Sequence, residues 1–168
     1  MLWLAPVLLS TLFTLGSSTD PLLTSPERRV RSTDKRVSQL LKIGMQRSPT
    51  FAQMVQSLNR TDVIVYIERT NDLPRTLAGR LLLLPRTGPY RYLRVQVRGD
   101  LPTRELVALI GHELRHALEI ADEPGVRDES TMLTFYKKIG HPTTGALHTY
   151  DTDAAQLAGQ RVRVELNS

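Results

Sequence analysis

The chain has 168 residues, 40% of them hydrophobic, which is enough for one domain with a buried core. It contains no cysteine, which excludes disulfides and thiolate metal ligands and leaves histidine and carboxylates as the strong metal-binding groups. The net charge is +5 but aromatic residues make up only 5%, so there is no stacking platform for single-stranded nucleic acid and no nucleic-acid partner is expected.

In chain order, residues 2–15 are apolar and uncharged, and Gly16-Ser17-Ser18 supplies small residues for cleavage after Ser18. Residues 1–18 are therefore expected to be a signal peptide, and the protein to be secreted or periplasmic. An uncleaved anchor is the alternative, although the run is short for a full membrane span. Residues 19–47 form a basic lead-in, with Arg28, Arg29, Arg31, Lys35 and Arg36 clustered in it. Such a cluster is expected to be a solvated, mobile segment, or a weak contact for a membrane surface or polyanion. Within it, Val37, Leu40, Leu41 and Ile43 predict a short helix from Thr33 to Gln46.

A second domain-building stretch, residues 48–168, follows. Ser48-Pro49 reads as a cap and first turn for a helix through Leu58. Residues 63–68, 80–84 and 90–98 predict three strands of one mixed or antiparallel sheet. The last of these alternates as Tyr90-Arg91-Tyr92-Leu93-Arg94-Val95-Gln96-Val97-Arg98, the period of a half-buried strand. A helix then starts at Asp100 to Thr103, with Asp or Thr as its cap, and stops at Glu123-Pro124-Gly125. A further helix is predicted over 130–138, then a Gly-, Thr- and His-rich loop, then a last helix starting at Asp151. The expected fold class is α+β, about three strands packed on the long helix with further helices around it.

The long helix carries His112-Glu113-Leu114-Arg115-His116. Two imidazoles four residues apart lie on one helical face and can reach one metal ion, with Glu113 beside the first to handle a proton on bound water. A third ligand is required at a catalytic zinc site. Glu119 shares the face of His112 and His116 but stands two turns from His112, so it is either a ligand or the acceptor that holds an imidazole N–H. It is also placed to pair with Arg115 on an exposed flank. Asp151, far along the chain, is the other candidate.

The strand, the H-E-x-x-H helix and the later Asp151 helix together resemble the zincin metallopeptidases. Glu119 stands where the metzincin branch has glycine, and no third histidine follows, so the likeness is to the gluzincin side. In that likeness an acid on a second helix completes the site, and Ala154 and Ala158 match the small residues that let the two helices approach. Here the acid is Asp151 where the family has glutamate. The resemblance implies an α+β zincin-like domain, a Zn2+ cofactor, and an edge strand along the cleft. It implies peptide hydrolysis with Glu113 as general base and Tyr150, His148 or His141 as oxyanion donors. The alternatives are a non-peptidase zinc hydrolase, and a non-catalytic exported module whose histidine pair is fortuitous or structural.

Overall fold

The computed structural model describes residues 28–86, 88–143 and 149–167. The signal peptide expected over 1–18, the whole of the lead-in before Arg28, and His148 lie outside the described residues. No helix among the described residues is long and apolar enough to cross a membrane.

The architecture is α+β, with five helices and a small mixed sheet among the described residues. Chain order is β1 (Val30–Arg31), α1 (Lys35–Arg47), α2 (Pro49–Leu58), β2 (Val63–Thr70), β3 (Gly79–Leu83) and β4 (Arg91–Arg98). It continues with α3 (Thr103–Asp122), α4 (Glu129–Ile139), β5 (His141–Pro142), β6 (Tyr150–Asp151) and α5 (Asp153–Glu165). The main sheet runs β1-β2-β4-β3, with β1, β2 and β4 parallel and β3 antiparallel at the edge. A two-residue bridge between β5 and β6 pairs His141 with Asp151 and Pro142 with Tyr150.

This order corrects one expectation. The strand that feeds the motif helix, β4, is interior, held by β2 on one side and β3 on the other. Its inward residues Leu93, Val95 and Val97 are completely buried, so they are core. The edge is one strand earlier, at β3. The opposite face of β4 carries long polar side chains that cover one another. On that face Arg80 donates to Gln96 at 2.6 Å and Gln96 donates to Glu68 at 2.6 Å.

The lead-in also differs from expectation. Val30 extends the sheet as β1, paired with Val65, and Val37 and Leu40 are fully buried in the common core. Apolar residues within a basic stretch were enough to anchor it. Part of the basic cluster is engaged: the Arg29 guanidinium lies 4.4 Å from the Tyr90 ring centroid, and Arg36 donates to Thr103. Asp34 caps α1, accepting from the N–H groups of Arg36 and Val37.

The motif helix α3 crosses one face of the sheet and touches β2, β3 and β4, while α1, α2 and α5 pack on it as well. Leu106, Ile110, Leu114, Ala117 and Ile120 form its inward stripe and are buried to 1% exposure or less. Each large apolar side chain of that stripe contributes roughly 1.5–3 kcal/mol relative to exposure. Contrary to expectation, Pro102 occupies the N-cap position of α3 and no side chain caps the helix; Asp100 is instead in an ion pair with Arg98 at 2.8 Å. Its other end is capped from the sheet. The buried Arg91 of β4 donates to the carbonyls of Ile120, Ala121, Glu123 and Val126 and forks onto Asp62.

Candidate metal centre

The helix spacing delivers His112 and His116 to one face of α3, with ring centroids 4.8 Å apart. The third group comes from β6. Asp151 Oδ1 lies 3.4 Å from His112 Nε2 and 3.3 Å from His116 Nε2. These separations exceed the ~2.9 Å of a good N–H···O bond. They match the ~3.3–3.4 Å edge of a tetrahedron with metal–ligand bonds of about 2.0–2.1 Å. One donor atom from each of the three residues lies within 4.8 Å of the others, so His112, His116 and Asp151 can hold a metal ion. Two imidazoles and one carboxylate are a donor set suited to a first-row divalent metal, zinc among them.

Asp151 is held from its own side of the site. Its Oδ1 accepts from the Thr152 amide at 2.7 Å and its Oδ2 from Gln156 Nε2 at 3.1 Å. It precedes the helix rather than opening it: Thr152 is the cap of α5 and the helix begins at Asp153. The expected small-residue contact between the helices also shifts. Ala154 is exposed, whereas Ala155, Ala158 and Gly159 are buried against α3. A Cβ on Gly159 would sit 3.2 Å from His112 Cβ, so the glycine lets α5 lie against the first histidine.

Glu119 stands behind His116, away from Asp151. Its Oε2 accepts from His116 Nδ1 at 2.8 Å and its Oε1 from Thr152 Oγ1 at 2.7 Å. It is buried rather than on an exposed flank, and Arg115 is a more distant partner at 3.8 Å. The direct-ligand option weighed for Glu119 therefore has no support in its position. The position suits a carboxylate that fixes a metal-binding imidazole in the tautomer with Nε2 free.

Glu113 is buried beside the histidines, and its environment sets its acidity. Burial pushes its carboxyl up to about 7, opposed by the charge of His116 and reinforced by that of Asp151. Gly79 of the edge strand makes room for it: a Cβ there would sit 2.7 Å from Glu113 Oε1. Burial disfavours a charged His116, but the carboxylates of Asp151 and Glu119, which face its two ring nitrogens, outweigh it and raise the imidazole to about 9. Burial and repulsion by His116 lower His112. Asp151 and Glu119 are both held below the usual carboxylate range because their histidine contacts outweigh burial.

The three donors open onto a cleft of about 470 Å³. One wall is the β3 edge from Thr76 to Leu81, and the other is α4 with Met132, Leu133 and Tyr136. Tyr150 is half-buried in the cleft wall, and Thr143 and Thr149 also line the cleft. His141 is exposed outside the cleft, its Nε2 3.3 Å from Gln156 Nε2. His148 lies outside the described residues.

Sequence reasoning did not find Thr152, Gln156, Gly79 or Tyr136. Tyr136 donates to the His116 carbonyl at 3.2 Å, and its ring meets the His116 ring edge-on at 5.5 Å. Only Thr152 had a legible signal, as a cap residue before an apolar-periodic run. The others reach the site by packing across elements. No family model, no curated protein and no solved structure matches the chain.

Proposed function

We propose that the protein is an exported, zinc-dependent peptidase of zincin type. The observation that carries this reading is the three-donor group with Glu113 beside it, facing a cleft walled by a sheet edge. A bound zinc ion would acidify a water molecule and polarise the scissile carbonyl. His112, His116 and Asp151 would hold it, with Glu119 keeping the His116 ring in register.

Glu113 accepts the proton of the attacking water and delivers it to the leaving amine. A carboxyl poised near 7 suits both directions of that transfer. Tyr150 is the oxyanion donor available in the cleft wall. Among the described residues β3 is the edge of the sheet, a position to which an extended peptide can add as a further strand. That edge favours a peptide substrate over other zinc-assisted hydrolyses. The export part of the proposal rests on the uncharged apolar run before Ser18.

The test is metal content followed by catalysis. After metal-free dialysis and readdition, one zinc per chain is expected, and none retained would sink the reading. Glu113→Gln is expected to keep the zinc and lose peptide hydrolysis. Hydrolysis that survives this change would remove Glu113 from its role. Zinc retained with no hydrolysis by the parent chain would favour a non-catalytic metal-binding module.

A further inference from the structure

The contacts around the three donors close into a ring. His116 faces Asp151 through Nε2 and Glu119 through Nδ1. Glu119 in turn accepts from the hydroxyl of Thr152, the residue next to Asp151 in the chain. Every member of this ring other than Asp151 is buried to 6% exposure or less. Thr152 carries three functions at once. Its hydroxyl accepts from the Ala155 amide and so caps α5, the same hydroxyl donates to Glu119, and its own amide donates to Asp151 Oδ1.

The direction of the hydroxyl proton follows from these partners. Thr152 Oγ1 lies between two partners, the Ala155 amide at 3.1 Å and Glu119 Oε1 at 2.7 Å. The Ala155 amide only donates, so the threonine oxygen receives that bond and spends its single proton on Glu119. With one Glu119 oxygen tied by Thr152, the other is fixed toward His116 Nδ1. A freely rotating Glu119 would have Arg115 as a competing partner at the helix surface, at 3.8 Å. The hydroxyl therefore decides which side of the ring Glu119 serves.

We infer that Thr152 is a positioning residue for the metal centre, acting through Glu119 to aim His116 Nε2 at the point it shares with His112 and Asp151. It touches neither metal nor substrate. The inference rests on the metal-binding part of the proposed function and not on peptide hydrolysis. Outer partners of this kind typically contribute 10- to 100-fold in metal affinity.

The competing explanation is that Thr152 is only a helix cap. Zinc affinity, measured by competition with a chromophoric chelator on the full chain, separates the two. The set is Thr152→Ser, Thr152→Val, Glu119→Ala and the Thr152→Val/Glu119→Ala double variant. Serine keeps both the cap and the donor, so its affinity is expected within about threefold of the parent. Valine and the Glu119 variant are each expected to weaken binding by about 10-fold or more. The decisive reading is the double variant. If Thr152 works through Glu119, it binds no more weakly than the weaker single variant, because the second change removes a bond already lost. Losses that multiply would reduce Thr152 to a cap and overturn the inference, as would a Thr152→Ser variant that binds as poorly as valine. If the valine variant fails to fold in chelator, the serine variant and Glu119→Ala still decide: normal affinity in the latter overturns the inference. A parent chain that binds no zinc overturns both this inference and the proposed function. A parent that binds zinc with multiplying losses overturns this one alone.

Discussion

Two buried polar clusters sit on the same helix, and they are built on opposite principles. At the C-terminal end of α3, Arg91 spends its guanidinium on Asp62 and on four main-chain carbonyls, at distances from 2.6 to 3.3 Å. Ile120 and Ala121 belong to the last turn of α3 and Glu123 and Val126 to the turn that follows it, and a single planar fork serves all four. The cluster is complete in itself. Two turns earlier, His112, His116 and Asp151 converge on a common point at separations that suit ligands better than hydrogen bonds. His116 Nδ1 and Asp151 Oδ2 point outward to Glu119 and Gln156, while the two Nε2 atoms face Asp151 Oδ1, which also accepts from the Thr152 amide. The first cluster satisfies its members internally, and the second brings three donors together that could hold a metal ion.

The comparison can be broken at either cluster. The largest expected effect is on catalysis: Glu113→Gln should lower peptide hydrolysis by about 10²- to 10⁴-fold with zinc stoichiometry unchanged. A metal-free but folded variant would instead make Glu113 part of the metal scaffold. Next is Arg91→Met, which strands helix-end carbonyls in the interior. It should lower stability by about 3 kcal/mol in denaturant unfolding and leave the zinc affinity of the folded fraction unchanged. A change in affinity without destabilisation would erase the distinction between the clusters. The converse change, Asp151→Ala, should abolish tight zinc binding while altering stability in chelator far less than Arg91→Met does.

A smaller effect is expected at Gly79. Gly79→Ala puts a methyl 2.7 Å from the Glu113 carboxylate, so the base or the edge strand must shift. The expected loss is in kcat, with zinc affinity within about twofold, since the nearest atom to the added methyl is Glu113 Oε1; overpacking of this kind typically costs about 1–3 kcal/mol. Parallel falls in kcat and zinc affinity would place Gly79 in the scaffold of the ligands.

The mildest test is pH. His116 is raised to about 9 and Glu113 to about 7 in the folded chain. A raised folded value means the folded state binds more protons than the unfolded one. The stabilisation is fully present below the unfolded value, ~6.5 for histidine and ~4.3 for glutamate, and is lost as pH rises through the folded value. In chelator, stability should therefore fall between about pH 5 and 9. Zinc must displace the His116 proton, so its stabilising increment should grow over the same range. Denaturant midpoints at pH 5, 7 and 9 with and without zinc check both signs. Stability in chelator that rises over this range would contradict the assignment.

Much of the centre was legible before any coordinates. The spacing of His112 and His116 needs only helical geometry, and the apolar stripe of Leu106, Ile110 and Leu114 announces that helix. Asp151 was one of two open candidates, and Glu119 the other, because both can reach the histidines on paper. Burial separated them: Glu119 is packed behind His116, and α5 brings Asp151 to the open side. β1 went unread because two residues carry no periodicity. The edge position of β3 went unread because strand order is set by which chains pair, and Leu93, Val95 and Val97 alternate identically in an edge or an interior strand.

By itself, then, the sequence determined the α+β class, the motif helix and its two imidazoles, since these depend on residues within a few positions of one another. Tertiary structure alone decided the third donor, the Thr152–Glu119–His116 chain, the room Gly79 leaves for Glu113 and the strand that walls the cleft. The Asp151–His116, Thr152–Glu119 and Gly79–Glu113 contacts join residues more than 30 positions apart, while His116 and Glu119 are neighbours on α3, and no local preference specifies such a long-range contact. It is chosen by which apolar faces bury together, and the polar groups they carry meet as a consequence.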